Sequence, residues 1–384
     1  MARRNEKISV GFLFDDTLDS NDGVAQYVKN VGAWLSSHGH SVSYIVGETK
    51  LHEWAGGEVI SGAHNLKIRW GGNRLSMPIW PDKSKIKTAL RSKKFDVLHV
   101  QMPYSPMMSQ YVIKNAPADT AVVGTFHVFP ANELAVVGSR LLRLIYGKSL
   151  RRIGEVVSVS SAAEAFAKKG FKLNTFISSN VVDLKKFEVD SANINKRPRI
   201  VFLGRLVKRK GCLQLLKAFK IVNQKMPDVE LVIAGDGPLR PSLEKYVRSH
   251  NLDRNVVFKG FIDEKDKPDL LHGADIACFP SLYGESFGIV LIEAMAAGAG
   301  AVLGGDNPGY CSVLGDQPDL LINPRATQAF ADRLYKLLTN RALREGLHAW
   351  QQNEVRQYDI NVVGPQLEAV YASAIARLAK NSHN

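Results

Sequence analysis

Apolar residues fall along this chain in two recurring patterns. A short apolar run stands at 8–14, and further short segments at 41–46, 95–100, 121–126, 155–160 and 174–178 read as strands, most of them rich in apolar residues. That is the composition of strands buried on both faces. After the first run, Val24, Tyr27, Val28, Val31, Trp34 and Leu35 recur at spacings of three and four, which predicts a helix that Gly39 ends. The chain turns polar over 188–199, through Asp190-Ser191-Ala192-Asn193 and Lys196-Arg197-Pro198-Arg199. Beyond it the alternation restarts, with strands predicted at 199–203, 230–234, 256–259, 275–279 and 301–303. Helices are predicted at 212–223, 239–250 and 288–297. A polar break between two alternating stretches predicts a linker between two domains, 1–193 and 197–360. The expected fold class is α/β, with two Rossmann-like, doubly wound domains facing a central cleft. Ligands of such sheets bind outside the carboxyl ends of the strands, so the chemistry is expected in the loops there.

The length of 384 residues suits two domains. A hydrophobic fraction of 45% beside 23% charged residues excludes a disordered or fibrous chain. Lys and Arg number 50 against 37 Asp and Glu, an excess of 13. That excess calls for nucleic acid, an anionic membrane surface or a phosphorylated ligand. No nucleic-acid module or aromatic–basic interleaving is recognisable, so nucleic acid is not the expected partner. Cys212, Cys278 and Cys311 are odd in number and far apart. They fit neither a disulfide framework nor a zinc pair and suit a reducing cytosol. Arg3 and Arg4 ahead of the first apolar run mimic a leader, but the run stops at Asp15-Asp16 and reads as a first strand. No stretch approaches the roughly 18 apolar residues of a spanning helix, so any membrane contact is expected to be peripheral.

Two segments carry candidate chemistry. The run Ile200-Val201-Phe202-Leu203 ends in Gly204-Arg205, and Lys208-Arg209-Lys210-Gly211 opens the next helix. Cations at a strand end and a helix start suit a phosphate group; a solvated basic turn is the other reading. Further on, Glu285 and Glu293 stand eight positions apart around Ser286-Phe287-Gly288-Ile289-Val290. Gly288 permits close backbone approach at a helix start, while Glu293 on an apolar helix is costly to bury without partners. Together these features resemble the retaining glycosyltransferases of the GT-B fold, family 4, over nearly the whole chain. The segment from Gly284 to Gly298 resembles the phosphatidylinositol mannosyltransferase type in particular.

The resemblance implies roles at named positions. Arg205 and Lys210 would neutralise the diphosphate of a nucleotide-sugar donor, and Glu293 would hold ribose hydroxyls. Glu285 would sit beside the transferred sugar, and the backbone N–H groups of Phe287, Gly288 and Ile289 would contact sugar or phosphate. Gly23 would come against the donor phosphates, and His127 would reach the sugar. Glu285 and His127 are thus the expected catalytic residues. No metal or other cofactor is expected, and GDP-mannose is favoured over UDP-glucose as donor. Retention of the anomeric configuration is implied, either through a covalent intermediate on Glu285 or by front-face substitution. The terminal helix, 361–384, would pack back on the first domain. The first-helix segment reads Asp22-Gly23-Val24-Ala25-Gln26-Tyr27 where the phosphatidylinositol enzymes have Gly-Gly-Val-Gln-Ser-His. Asp15-Asp16-Thr17 stands where they have a Pro-Tyr pair.

Two basic segments bear on the acceptor. Lys83, Lys85, Lys87, Arg91, Lys93 and Lys94 lie in a stretch without Asp or Glu, and Ile86, Ala89 and Leu90 share one helical face there. A second segment runs from Arg140 through Arg143 and Lys148 to Arg151 and Arg152. Both predict an anionic membrane surface as partner, through 83–94 and 140–152. The expected location is the cytoplasm, peripherally at the inner face of the cell membrane, with a lipid headgroup as acceptor. A soluble or polysaccharide acceptor, or donor binding without catalysis, are the alternatives.

Overall fold

In the computed structural model the described residues are 7–20, 22–70, 73–103, 105, 108–128, 133–189 and 197–382. Arg3, Arg4 and the centre of the expected linker, 190–196, lie outside them. The chain divides into two compact units, Met1–Val181 with Ile360–Asn384, and Val182–Asp359. The division falls ahead of the polar stretch at 188–199, because residues 182–187 already pack with the second unit. Val182 makes a parallel bridge to Asp359, and the short helix Leu184–Phe187 lies against the helices Lys267–His272 and Ile289–Ala296.

The first unit is built on strands β1 (Ser9–Phe14), β2 (Ser41–Val46), β3 (Glu53–Trp54), β4 (Gly57–Ser61), β5 (Ala63–Trp70) and β6 (Asn73–Pro81), then β7 (Val97–Gln101), β8 (Ala121–Phe126), β9 (Glu155–Ser158) and β10 (Phe176–Ile177). Its helices are α1 (Gly23–Ser37), α2 (Lys83–Ser92), α3 (Met108–Asn115), α4 (Glu133–Leu150) and α5 (Ser161–Phe166), together with the C-terminal helix Ile360–Ser382. Among the described residues one sheet runs in the order β10-β9-β8-β7-β1-β2-β4-β3. It is parallel except for β3 on β4. The order reverses at the β1–β7 seam, the topological switch point of a doubly wound sheet. Tyr27, Val28, Val31 and Leu35 of α1 are buried with Phe12 and Tyr44 and with Val363, Leu367 and Tyr371 of the C-terminal helix. The antiparallel pair β5–β6 is an excursion outside this sheet that strand–helix alternation does not contain.

The second unit repeats the plan more simply. Its helices are α6 (Leu184–Phe187), α7 (Cys212–Lys225), α8 (Arg240–Ser249), α9 (Lys267–His272), α10 (Ile289–Ala296), α11 (Pro308–Leu314), α12 (Thr327–Thr339) and α13 (Arg341–Glu354). Strands β11 (Arg199–Leu203), β12 (Glu230–Ala234), β13 (Val256–Gly260), β14 (Ile276–Phe279), β15 (Ala301–Gly305) and β16 (Leu321–Ile322) lie in the order β13-β12-β11-β14-β15-β16. Every pair is parallel. Numbered within the unit this is 3-2-1-4-5-6, and the switch point is the β11–β14 seam. The apolar run Ile200-Val201-Phe202 is fully buried, as a central parallel strand requires.

Candidate active site

The second unit gathers charge beside its switch point. After β11 the chain makes a single turn at Lys208–Lys210 and enters α7 through Gly211, whose φ is +72°. A Cβ there would lie 1.9 Å from the carbonyl oxygen of Pro280. Only glycine therefore lets this turn close on the segment after β14. The closure brings Arg209 Nη1 and Lys210 Nζ each to 2.8 Å from the same Glu285 oxygen, Oε1. Burial alone would raise the Glu285 carboxyl, but Lys210 and then Arg209 outweigh it and hold the carboxyl below its ordinary value. Glu285 is thus a carboxylate in a cationic clasp. Arg205, two residues past β11, is exposed.

The next segment leads into α10. Gly288 caps that helix at φ +109° with no side-chain partner for its first N–H groups. A Cβ on Gly288 would stand 2.6 Å from the Tyr310 ring, which closes the position to any other residue. The Phe287 side chain is buried edge-on against Tyr358, with ring centroids 5.5 Å apart, so only its backbone remains for a ligand. One turn into the helix, Glu293 is 7% exposed and accepts from Lys267 Nζ at 3.1 Å. Burial raises its carboxyl, partly offset by Lys267. The Lys267 ammonium also reaches Glu264 at 2.9 Å. A protein cation, not a ligand hydroxyl, is therefore what makes buried Glu293 tolerable here.

In the first unit His127 and Gln101 stand at the carboxyl ends of β8 and β7, and Gly23 at the start of α1. His127 follows β8, is 5% exposed, and has its Nε2 2.7 Å from Gln101 Oε1 at the end of β7. The edge of Tyr27 packs on its ring with centroids 5.0 Å apart. Burial lowers the imidazole to a pKa of about 3, so it is neutral at physiological pH. Gly23 is the first residue of α1, and Asp22 caps the helix by accepting from Val24 and Ala25 N–H, both at 3.0 Å. The helix end beside Gly23 thus already holds a carboxylate of the chain itself, where an anion site was expected.

Sequence reasoning passed over Arg209, Lys267 and Gln101. Arg209 stood in view in the Lys-Arg-Lys-Gly run. The contacts of Lys267 with Glu293 and of Gln101 with His127 carry no local signal, because each spans 26 positions.

Residues 21–186 match the family model described as Glycosyltransferase Family 4, and residues 185–354 the one described as Glycosyl transferases group 1. A phosphatidyl-myo-inositol mannosyltransferase of Mycobacterium tuberculosis is 31% identical over 383 residues, covering 97% of this chain and 98% of the relative. The chain belongs to glycosyltransferase family 4. Solved structures agree on the fold of this family 4 enzyme. A glycosyltransferase from Rickettsia africae superimposes with a TM-score of 0.77 at 17% identity, over 97% of this chain and 99% of that one. The Anabaena HepE protein, solved with UDP-glucose, does so with a TM-score of 0.74 at 18% identity, over 95% and 100%. The fold is GT-B and the activity is glycosyl transfer. Both family segments contribute candidate groups: Gly23 and His127 lie in the first, and the Arg209–Lys210–Glu285 clasp and Glu293 in the second.

Proposed function

We propose that this glycosyltransferase moves a hexose, mannose ahead of glucose, from a nucleotide diphosphate sugar to a hydroxyl of a membrane lipid headgroup of the phosphatidylinositol kind. The observation that carries the reading is the 31% identity to a phosphatidyl-myo-inositol mannosyltransferase, which runs through both units. In this reading Arg205 and Lys210 take the donor diphosphate and stabilise it as it leaves. Backbone groups of Phe287, Gly288 and Ile289 approach sugar or phosphate, and Glu293 takes the ribose. Gly23 lies near the phosphates, while His127 and Glu285 flank the sugar. The reaction retains the anomeric configuration and needs no metal or cofactor. GDP-mannose is kept as the favoured donor, and the relative's name, which specifies mannose transfer, supports the hexose. That HepE was solved with UDP-glucose supports a nucleotide sugar in general.

The acceptor side is supported by α4. Val137, Leu141, Leu144 and Ile145 fall at i, i+4, i+7 and i+8 and are 59%, 59%, 73% and 60% exposed. Arg140, Lys148 and Arg151 are exposed beside them. An outward apolar stripe rimmed by cations suits an anionic bilayer surface. The other basic segment differs from its expected form. Ile86, Ala89 and Leu90 of α2 are turned into the core, so only cations such as Lys83, Lys85, Lys87 and Arg91 face out. Each cation near such a surface contributes at most about 1 kcal/mol, enough in sum for reversible binding at the inner face of the membrane. No described helix is long and apolar enough to cross a membrane.

The test is transfer from radiolabelled GDP-mannose or UDP-glucose to vesicles containing phosphatidylinositol, with the product anomer read by NMR. Mannosylated lipid with the donor's configuration, formed in EDTA as in its absence, is the expected result. Sugar appearing only on soluble acceptors would move the acceptor assignment. That second reading is favoured by one observation, the Asp15-Asp16-Thr17 and Ala25-Gln26-Tyr27 replacements on the acceptor side.

A further inference from the structure

We propose that Gln101 is a positioning residue that fixes the tautomer of His127, so that the imidazole presents an unprotonated Nδ1 to its ligand. The proposal rests on the reading that His127 contacts the transferred sugar. It begins with two neighbouring strands. In the parallel pair β7–β8, Gln101 stands opposite Thr125, which places its side chain level with His127 two residues further on. Gln101 Oε1 and His127 Nε2 are 2.7 Å apart.

The amide has one sensible orientation. Gln101 Nε2 donates to the His99 carbonyl at a long 3.4 Å. Turning the amide over would set its oxygen against that carbonyl oxygen and its NH2 against the imidazole. The oxygen therefore faces the ring, and an amide oxygen only accepts. His127 must hold its proton on Nε2, and a neutral ring then keeps a lone pair on Nδ1. No described residue is hydrogen-bonded to Nδ1.

Neutrality is secured by the surroundings. The groups facing the ring are Tyr27 from α1 and Gln101 and His99 from β7, with Thr125 of β8 bonded to His99 at 2.6 Å. His99 is itself held neutral, its pKa lowered to about 3 by burial and by His127. His99 in turn is anchored at Nδ1 to Tyr371 of the C-terminal helix at 2.8 Å. The consequence is chemical. His127 accepts a hydrogen bond from a sugar hydroxyl, and it donates no proton to the leaving phosphate at neutral pH. A site built this way recognises a hydroxyl and rejects an analogue that lacks it, because the lone pair is then left without a partner.

The experiment has a spectroscopic arm and a kinetic arm. In 15N-histidine spectra of the ligand-free protein, assigned by the signal lost in His127→Asn, His127 is expected as the Nε2–H tautomer, unchanged from pH 5 to 8. The Nδ1–H tautomer, or titration within that range, would overturn the proposal. Gln101→Met removes the acceptor at similar volume. It should lower kcat/KM for the donor about tenfold without a new pH dependence, the loss of roughly one orienting hydrogen bond. Gln101→Glu should introduce an ionisation that the wild type lacks. With one extra proton on the Glu–His pair, Nδ1 is protonated when the charge sits on the ring, and also when a neutral carboxyl donates its O–H to Nε2. Activity of that variant should therefore rise with pH as the proton leaves. A flat profile in Gln101→Glu, or wild-type kinetics in Gln101→Met, would count against the role. The spectra need no turnover, so a protein inactive on every sugar would sink the functional reading and leave the tautomer assignment to be judged separately.

Discussion

Glu285 holds the two nearest cations of its unit on a single oxygen, and that fixes what its removal should do. Glu285→Gln keeps the volume and takes away the charge. If Glu285 flanks the sugar, kcat should fall by about 10² or more. Affinity for GDP or UDP alone, measured by calorimetry, should hold or tighten, since Arg209 and Lys210 lose their internal counter-ion. Weaker diphosphate binding in the variant would show that the carboxylate builds the site rather than competing for it. The pH behaviour follows from the sign of the shift. The carboxyl is held below its ordinary value, so its contribution to stability is complete above the unfolded value of about 4.3 and is lost as pH falls through the lower folded value. The difference in Tm between wild type and Glu285→Gln should be level at neutral pH and close below about pH 4. Little of this was legible in the sequence. The spacing of Glu285 and Glu293 and the basic turn at 208–210 were visible, but which cation met which carboxylate was decided by Gly211 closing on Pro280.

At the scale of elements the period of the apolar residues located most strands of both sheets, because buried parallel strands read as continuous apolar runs. The pattern failed where burial is not set by period alone. Helices α2 and α4 carry similar cations and similar apolar stripes, yet α2 turns its stripe inward and α4 turns Leu141, Leu144 and Ile145 out. Periodicity says that a stripe exists and not what covers it. Leu144→Asp with Ile145→Asp should abolish binding to anionic vesicles while leaving the Tm unchanged, as both side chains are more than half exposed. Lys83→Glu with Lys87→Glu on α2 should only weaken binding, by the loss of charge. Equal binding by the Leu144/Ile145 variant in sedimentation with vesicles would remove α4 from the membrane reading. The start of α10 makes the converse case. Gly288→Ala meets the Tyr310 ring at 2.6 Å with φ at +109°, and a cost of about 1–3 kcal/mol is expected, seen as a lower Tm.

The 50 Lys and Arg behind the excess of 13 positive charges occupy, at the level of the whole molecule, two kinds of place. Cations paired with carboxylates, as Arg209, Lys210 and Lys267 are with Glu285, Glu264 and Glu293, cancel and add nothing to that excess. The exposed share on α2 and around α4 is what an anionic surface would meet. Vesicle binding should therefore fall steeply with salt, whereas affinity for a nucleotide sugar should fall less if, as proposed, the partly buried Lys210 takes its diphosphate. Parallel titrations of both from low to high ionic strength test the difference, and equal salt slopes would contradict it.

The first unit takes its residues from both ends of the chain, and this bears on how the protein is made. Tyr371, Leu367 and Val363, which complete its core, leave the ribosome after all of Val182–Asp359 has been synthesised. At roughly 5–20 residues per second, that intervening stretch imposes a wait of about 9–36 s. During it the apolar face of the first sheet over β7–β9 has no C-terminal helix to cover it. The contiguous second unit carries no such delay. A chain stopped short of Ile360 would leave the first unit, rather than the contiguous second unit with its Arg209–Lys210–Glu285 cluster, unfinished.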